Sequence, residues 1–192
     1  MNLILALEEK TGLLGVDGKL PWDLPADRMF FRKHTEGRIL IMGSKTYESV
    51  KTFTVFNDGS RVSWVLSSTR PDLTISDISD IGEHVRYFNS IDDLLSTYRL
   101  YVENGKAASS FVIIGGSHVA AQFLEMGLID RALITWVTLP KQSEQLSQSK
   151  ICVSINPVWF AENRGFKKIE DVVPLTWHGD ITYRTVYYES SC

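Results

Sequence analysis

The stretch Phe111-Val112-Ile113-Ile114-Gly115-Gly116-Ser117 decides the fold class. Four consecutive apolar residues without a polar break fit a strand buried on both faces. Two glycines follow at once. Ser117 then opens a segment carrying Val119, Phe123 and Leu124, which reads as a helix stopping near Gly127. A strand delivered through glycines into a helix is the repeating unit of an α/β sheet. The same unit stands earlier in the chain. Arg38-Ile39-Leu40-Ile41-Met42-Gly43 reads as a buried strand, and Ser44 as the cap of a short helix running to about Val50.

The flanking segments extend the pattern. Residues 3–8 read as a short buried strand, and residues 9–25 as a long loop punctuated by Gly12, Gly15, Gly18, Pro21 and Pro25. Long loops inside compact domains are often functional lids. Pro25 suits the first turn of a helix that Gly37 ends. Arg61 to Ser67 is a further strand. Ser90-Ile91-Asp92-Asp93 resembles a capping box and opens a helix with Leu94, Leu95 and Tyr98 on one side. Residues 131–137 predict a strand, 138–157 an extended polar loop, and 166–173 with 181–188 an antiparallel pair joined through Trp177-His178-Gly179-Asp180. The expected fold is therefore α/β: a central mixed, mostly parallel sheet with an antiparallel edge strand, and helices on both faces.

Composition narrows the function classes. The 192 residues predict one domain spanning 1–192, with ample length for a core. A formal net charge of -3 argues against a broad basic surface for nucleic acid. The charge is uneven, however. Residues 28–70 carry eight lysines and arginines against three acids, a local +5, which leaves -8 for the rest. Such a segment can steer anionic ligands. No apolar run approaches membrane length, and no signal peptide is expected. The two cysteines, Cys152 and Cys192, form no CxxC pair. They support neither a zinc site nor a disulfide framework, and fit a reducing cytoplasm. His34, His84, His118 and His178 lack metal-ligand spacing, and no GxSxG elbow or P-loop occurs.

One acid stands out. Asp27, Phe30, Phe31 and His34 fall at i, i+3, i+4 and i+7, on one face of the predicted helix. An unpaired carboxylate on an apolar stripe is costly. Helix position alone favours a first-turn acid serving the helix dipole, since Asp27 lies two residues past Pro25. The functional alternative is a carboxylate at the rim of an aromatic pocket, pairing with the amidine-like edge of a heterocycle and favouring its protonation. Three strand ends also gather polar or glycine-rich turns: Gly43-Ser44-Lys45-Thr46, Ser67-Ser68-Thr69-Arg70 and Gly115-Gly116-Ser117. Ligands collect at the carboxyl ends of parallel strands, and free helix N–H groups favour phosphate. A solvated loop explains each of these turns taken alone.

Taken together, Asp17-Gly18-Lys19-Leu20-Pro21-Trp22-Asp23-Leu24-Pro25-Ala26-Asp27, Ile41-Met42-Gly43-Ser44-Lys45-Thr46-Tyr47-Glu48-Ser49, Arg61 through Ser68, and Ile113-Ile114-Gly115-Gly116-Ser117 resemble dihydrofolate reductase in order and spacing. The resemblance spans roughly the first 137 residues. It implies NADPH-dependent reduction of 7,8-dihydrofolate, with hydride passing to pterin C6 and a proton to N5. It implies that Asp27 binds the pterin amidine edge, that Thr135 bonds that acid, and that Trp22 and Leu20 belong to a mobile loop over the nicotinamide. Phe31 matches the aromatic packed on the substrate rings, and Arg61 the clamp on the glutamate tail. Ala6, Leu7, Arg32, Val50 and Ile114 complete the implied substrate positions. The implied cofactor positions are Ala6, Leu14, Gly15, Gly43, Ser44, Lys45, Thr46, Leu66, Ser67, Ser68, Ile114, Gly115, Gly116, Ser117, His118 and Val119, with a cis bond between Gly115 and Gly116. A monomer follows from the same resemblance, while the composition above predicts a cytoplasmic protein with no nucleic-acid or membrane partner and no metal.

The sequence also departs from the family. Ser44 stands where the family usually has a basic residue, with Lys45 and Arg70 as expected substitutes. Ala120 replaces an aromatic, and Leu7 is larger than the usual residue. Residues 138–157 lack the usual acidic loop, which leaves room for extra contacts there. Two alternatives remain at this stage: a riboflavin-pathway pyrimidine reductase, which has no glutamate tail to clamp, and a non-catalytic relative serving as a binding or structural module.

Overall fold

A computed structural model of the chain describes residues 1–52, 59–68, 84–140, 152–160 and 165–191. In chain order the elements are β1 (Asn2–Glu8), β2 (Leu13–Val16), α1 (Pro25–Thr35), β3 (Ile39–Gly43), α2 (Ser44–Val50), β4 (Val62–Leu66), β5 (Val85–Phe88), α3 (Ile91–Glu103), β6 (Phe111–Gly115), α4 (Ser117–Glu125), β7 (Arg131–Thr138), β8 (Cys152–Ser154), β9 (Phe166–His178) and β10 (Ile181–Ser190). Eight strands form one sheet in the order β5-β4-β3-β6-β1-β7-β10-β9. From β5 through β7 all neighbours pair in parallel; β10 runs antiparallel to both β7 and β9. The mixed sheet and its antiparallel edge are as the sequence predicts.

The local rules are visible in the helices. Pro25 opens α1, and Gly37 follows its end at φ +69°. Ser90 accepts from the Asp93 amide at 3.1 Å and donates to the Asp93 carboxylate at 2.6 Å, satisfying an otherwise orphan helix donor. Strand alternation divides the core. Leu3, Leu5 and Leu7 face one layer with Trp64, Phe111, Ile113 and Phe123. Ile4 faces the other with Leu40, Met42, Val65 and Val112. No helix among the described residues is long and apolar enough to cross a membrane.

Several expectations need correction. Residues 9–25 are not all loop: β2 lies within them and pairs antiparallel with β8, which in turn interrupts the predicted 138–157 loop. Residues 141–151 of that loop lie outside the described residues. Ser44 is the first residue of α2 rather than its cap; Gly43 occupies the cap position and no side chain caps the helix. The turn between β9 and β10 is only Gly179-Asp180, because pairing continues through Ile181 and His178. Strand β5 is additional. Phe53, Val55, Phe56, Thr69, Arg70 and Cys192 lie outside the described residues.

The chain order around β1 reverses. Strands β3 to β5 build outward on one side, β6 returns to insert between β3 and β1, and β7 adds on the other. Such a switch opens a crevice at the carboxyl ends of the strands, where ligands bind in open α/β sheets.

Candidate active site

Asp27 sits in the first turn of α1, half-buried, over the carboxyl half of β7. Thr135 donates its hydroxyl to Asp27 Oδ1 at 2.7 Å. With that proton committed, the 3.0 Å contact between the Thr135 and Thr185 hydroxyls is donated by Thr185. Thr135 and Thr185 face each other in the β7–β10 register and both are buried. Burial pushes the Asp27 carboxyl above the usual carboxylate range, and the Thr135 hydrogen bond opposes that shift. A hydrogen-bonded acid with a raised pKa in a partly apolar trough is equipped to hold a proton for a ligand.

The walls of the trough come from three elements. Phe31 on α1, Val50 at the end of α2 and Ile114 on β6 pack on the layer formed by Ile4, Leu40, Met42, Val65 and Val112. Tyr47 joins them and meets Tyr87 edge-on, with ring centroids 6.0 Å apart. Trp22 and Leu24 pack with Val137 and Tyr183, and Ala6 lies against that group. The Trp22 indole Nε1 is buried and has no hydrogen-bond partner among the described residues. A buried indole donor usually finds a partner, so this one fits a polar group brought by ligand or solvent. Leu20, by contrast, is exposed, at 48% of its full area.

Arg61 lies against the C-terminal turn of α1, the helix that carries Asp27. It is buried, donating Nε to the Thr35 hydroxyl at 3.0 Å, Nη2 to the Arg32 carbonyl at 2.6 Å, and Nη1 to the Ser60 hydroxyl. Thr35 itself donates to the Phe31 carbonyl at 2.8 Å. The guanidinium is thereby fixed to the last turn of α1, while the Arg32 side chain is exposed.

Glycines mark the ends of β3 and β6, at Gly43 and at Gly115-Gly116. The Gly115–Gly116 peptide bond is cis, and Gly115 has φ +127°, a region that favours glycine. A Cβ on Gly116 would meet Thr46 Oγ1 at 3.1 Å, and one on Gly43 would meet Val119 Cγ2 at 3.3 Å. The two strand–helix junctions therefore touch across the crevice, with the first turn of α4 beginning at Ser117. Their close approach leaves a cradle that fits a phosphate-bearing chain against free helix N–H groups.

A family model described as dihydrofolate reductase matches residues 1–148. Dihydrofolate reductase of Enterococcus faecium is 31% identical over 139 residues, covering 72% of this chain and 71% of that protein. The chain belongs to the dihydrofolate reductase family. A second member, from Lactococcus lactis, is 30% identical over 128 residues, covering 66% of this chain and 67% of its own. The fold matches a solved Enterococcus faecalis dihydrofolate reductase complexed with NADP(H) and RAB-propyl. That match has a TM-score of 0.68 at 21% identity, covering 100% of this chain and 96% of the other.

Within this dihydrofolate reductase fold the remaining expected positions are scattered in exposure. Ser44, Thr46, Leu66, Leu14 and Gly15 are half-buried, and Ser67 is buried with its amide on the Phe88 carbonyl at 2.9 Å. Lys45, Ser68 and His118 are exposed, and Val119 is buried. Leu7 is fully buried and faces the layer opposite Ala6. Ala120 is also fully buried. Thr35 and Thr185 are site-supporting residues that the sequence reading does not single out; so is Tyr47, quoted there only as part of a motif. No group of three or more potential ligands for a metal occurs among the described residues.

Proposed function

We propose that the chain catalyses NADPH-dependent reduction of 7,8-dihydrofolate to tetrahydrofolate. The observation that carries this reading is Asp27, held by Thr135 on the helix whose Phe31 packs in one apolar layer with Val50 and Ile114, the residue that leads straight into the Gly115-Gly116 junction. A carboxylate accepts two parallel N–H bonds from an amidine edge, which orients a pterin ring. Burial raises the pKa of Asp27, which brings its proton affinity closer to that of a ring it bonds and favours a protonated N5. Phe31, Val50 and Ile114 supply apolar walls for the rings, and Trp22 with Leu20 covers the reacting face and limits water. The Trp22 Nε1 donor is suited to a solvent molecule shared with the substrate. Bound NADPH supplies the hydride for C6.

Gly43, Thr46, Gly115, Gly116 and Ser117 would hold the cofactor phosphates by backbone approach and helix N–H groups. Leu66, Ser67, Ser68, Ser44 and Lys45 would flank the adenosine, with Lys45 as the cation for the 2′-phosphate. Arg61 would hold the α-carboxylate of the glutamate tail, since a planar guanidinium suits paired carboxylate oxygens. We further read the chain as one catalytic domain, monomeric and cytoplasmic. The tail clamp favours this substrate over that of a pyrimidine reductase.

The test is steady-state NADPH oxidation with dihydrofolate and with dihydropteroate, which lacks the tail. Arg61→Leu is expected to raise KM for dihydrofolate by about 10- to 100-fold, the worth of charged hydrogen bonds, and to leave dihydropteroate little changed. Equal losses for both substrates would remove Arg61 from the tail site.

A further inference from the structure

We propose a second ligand site, separate from the Asp27 trough: a cavity under the C-terminal end of α1 that takes a small zwitterion with an apolar body. Its volume is about 280 Å³. That lies just under the roughly 300 Å³ at which pockets for drug-sized ligands begin, so it fits a single-ring molecule. The floor is continuous across the sheet. Ile4, Leu133 and Tyr187 are registered side by side on β1, β7 and β10. The roof is His34, whose Nδ1 lies 2.8 Å from the Phe30 carbonyl and whose ring stacks on Phe30 with centroids 3.9 Å apart. His34 lies seven positions along the helix from Asp27, about 10 Å along the axis. No residue assigned above to substrate or cofactor lines this cavity.

Its charges stand at opposite ends. Arg38 and Asn2 both donate to the Ser109 carbonyl, at 2.6 Å and 3.3 Å, and Arg131 is registered beside Asn2 on β7. Two guanidinium groups therefore gather at one end. Arg131 is shared with Glu189 at 3.6 Å, which leaves Arg38 as the stronger anchor for an anion. Glu170 lies on edge strand β9, registered with Tyr187 and so two strands from Leu133. At 4.7–4.9 Å per strand that is about 10 Å across the sheet. Glu170 forms no ion pair among the described residues. A plain anion would meet Glu170 as well as the arginines, and a plain cation the reverse. A carboxylate toward Arg38 and an ammonium toward Glu170, with a ring over Leu133 and Tyr187, satisfies both ends and the floor.

Calorimetric titration of the full chain with 4-(aminomethyl)benzoate, 4-methylbenzoate and 4-methylbenzylamine tests this. The zwitterion is expected to bind saturably, about tenfold or more tighter than either singly charged analogue. Glu170→Gln should erase its advantage over 4-methylbenzoate. Val172→Trp, at the exposed edge of the cavity, should remove binding while saturating dihydrofolate leaves it intact. The proposal is overturned if the zwitterion shows no saturable binding, if binding ignores both substitutions, or if dihydrofolate displaces it. Because the readout is binding, failure of the reductase reading would not count for or against this site.

Discussion

At the scale of single residues, Asp27 combines two demands that conflict. Burial raises its pKa above the ordinary carboxyl range, so the native state holds the proton to higher pH than the unfolded chain does. The sign for stability follows. Between the unfolded and folded pKa values the native state binds more protons, so Asp27 weakens folding as pH rises through that window, and the cost is fully present above the folded value. Asp27→Asn keeps the acceptor for Thr135 and removes the charge. Its melting temperature should exceed the wild type's at pH 7, by about 2–4 °C for each kcal/mol of relieved desolvation, and the gap should close near pH 4. Thermal melts at the two pH values check this; a gap that widens on acidification would contradict the burial of Asp27. The acid itself is legible in sequence because it interrupts an apolar stripe. Thr35 and Thr185 are not, because a threonine at a helix end or in a strand is ordinary until its hydroxyl is seen bonded to Arg61 or Thr135.

At the scale of elements, the long buried strands and capped helices announce themselves through periodicity and end signals, which are local properties. Strands β2, β5 and β8 do not. Leu13–Val16 and Cys152–Ser154 are four and three residues long and pair across more than a hundred residues of chain, so neither carries a period of its own. Val85–Phe88 is equally short. The junction of β6 and α4 is legible as a pair of glycines, but what they touch is not. Gly115→Ala puts a side chain where φ is +127°, a backbone cost on the order of 1–3 kcal/mol. It is expected to raise KM for NADPH more than for dihydrofolate, and a matched rise in both, read by steady-state kinetics, would separate this junction from the cofactor.

At the scale of the molecule, the sheet order reverses around β1, and the basic 28–70 segment supplies strands β3 and β4 on one side of that switch. Arg61 and Lys45 belong to that segment and, on the proposed reading, meet the two anionic ligands; Arg28 and Lys51 instead pair with Asp23 and Glu48 on the surface. The local +5 is therefore part steering field and part solvated helix face. The family, fold and crevice agree on one reaction. It is tested most directly by the rate of NADPH oxidation at pH 7 for the wild type and Asp27→Asn, each with and without dihydrofolate. The account predicts wild-type turnover only when dihydrofolate is present, falling as pH rises through the raised pKa of Asp27. The asparagine variant should be about 10²-fold slower or more at pH 7, the usual worth of a positioned acid. A wild type that does not turn over dihydrofolate, or a variant as fast as the wild type, would contradict it.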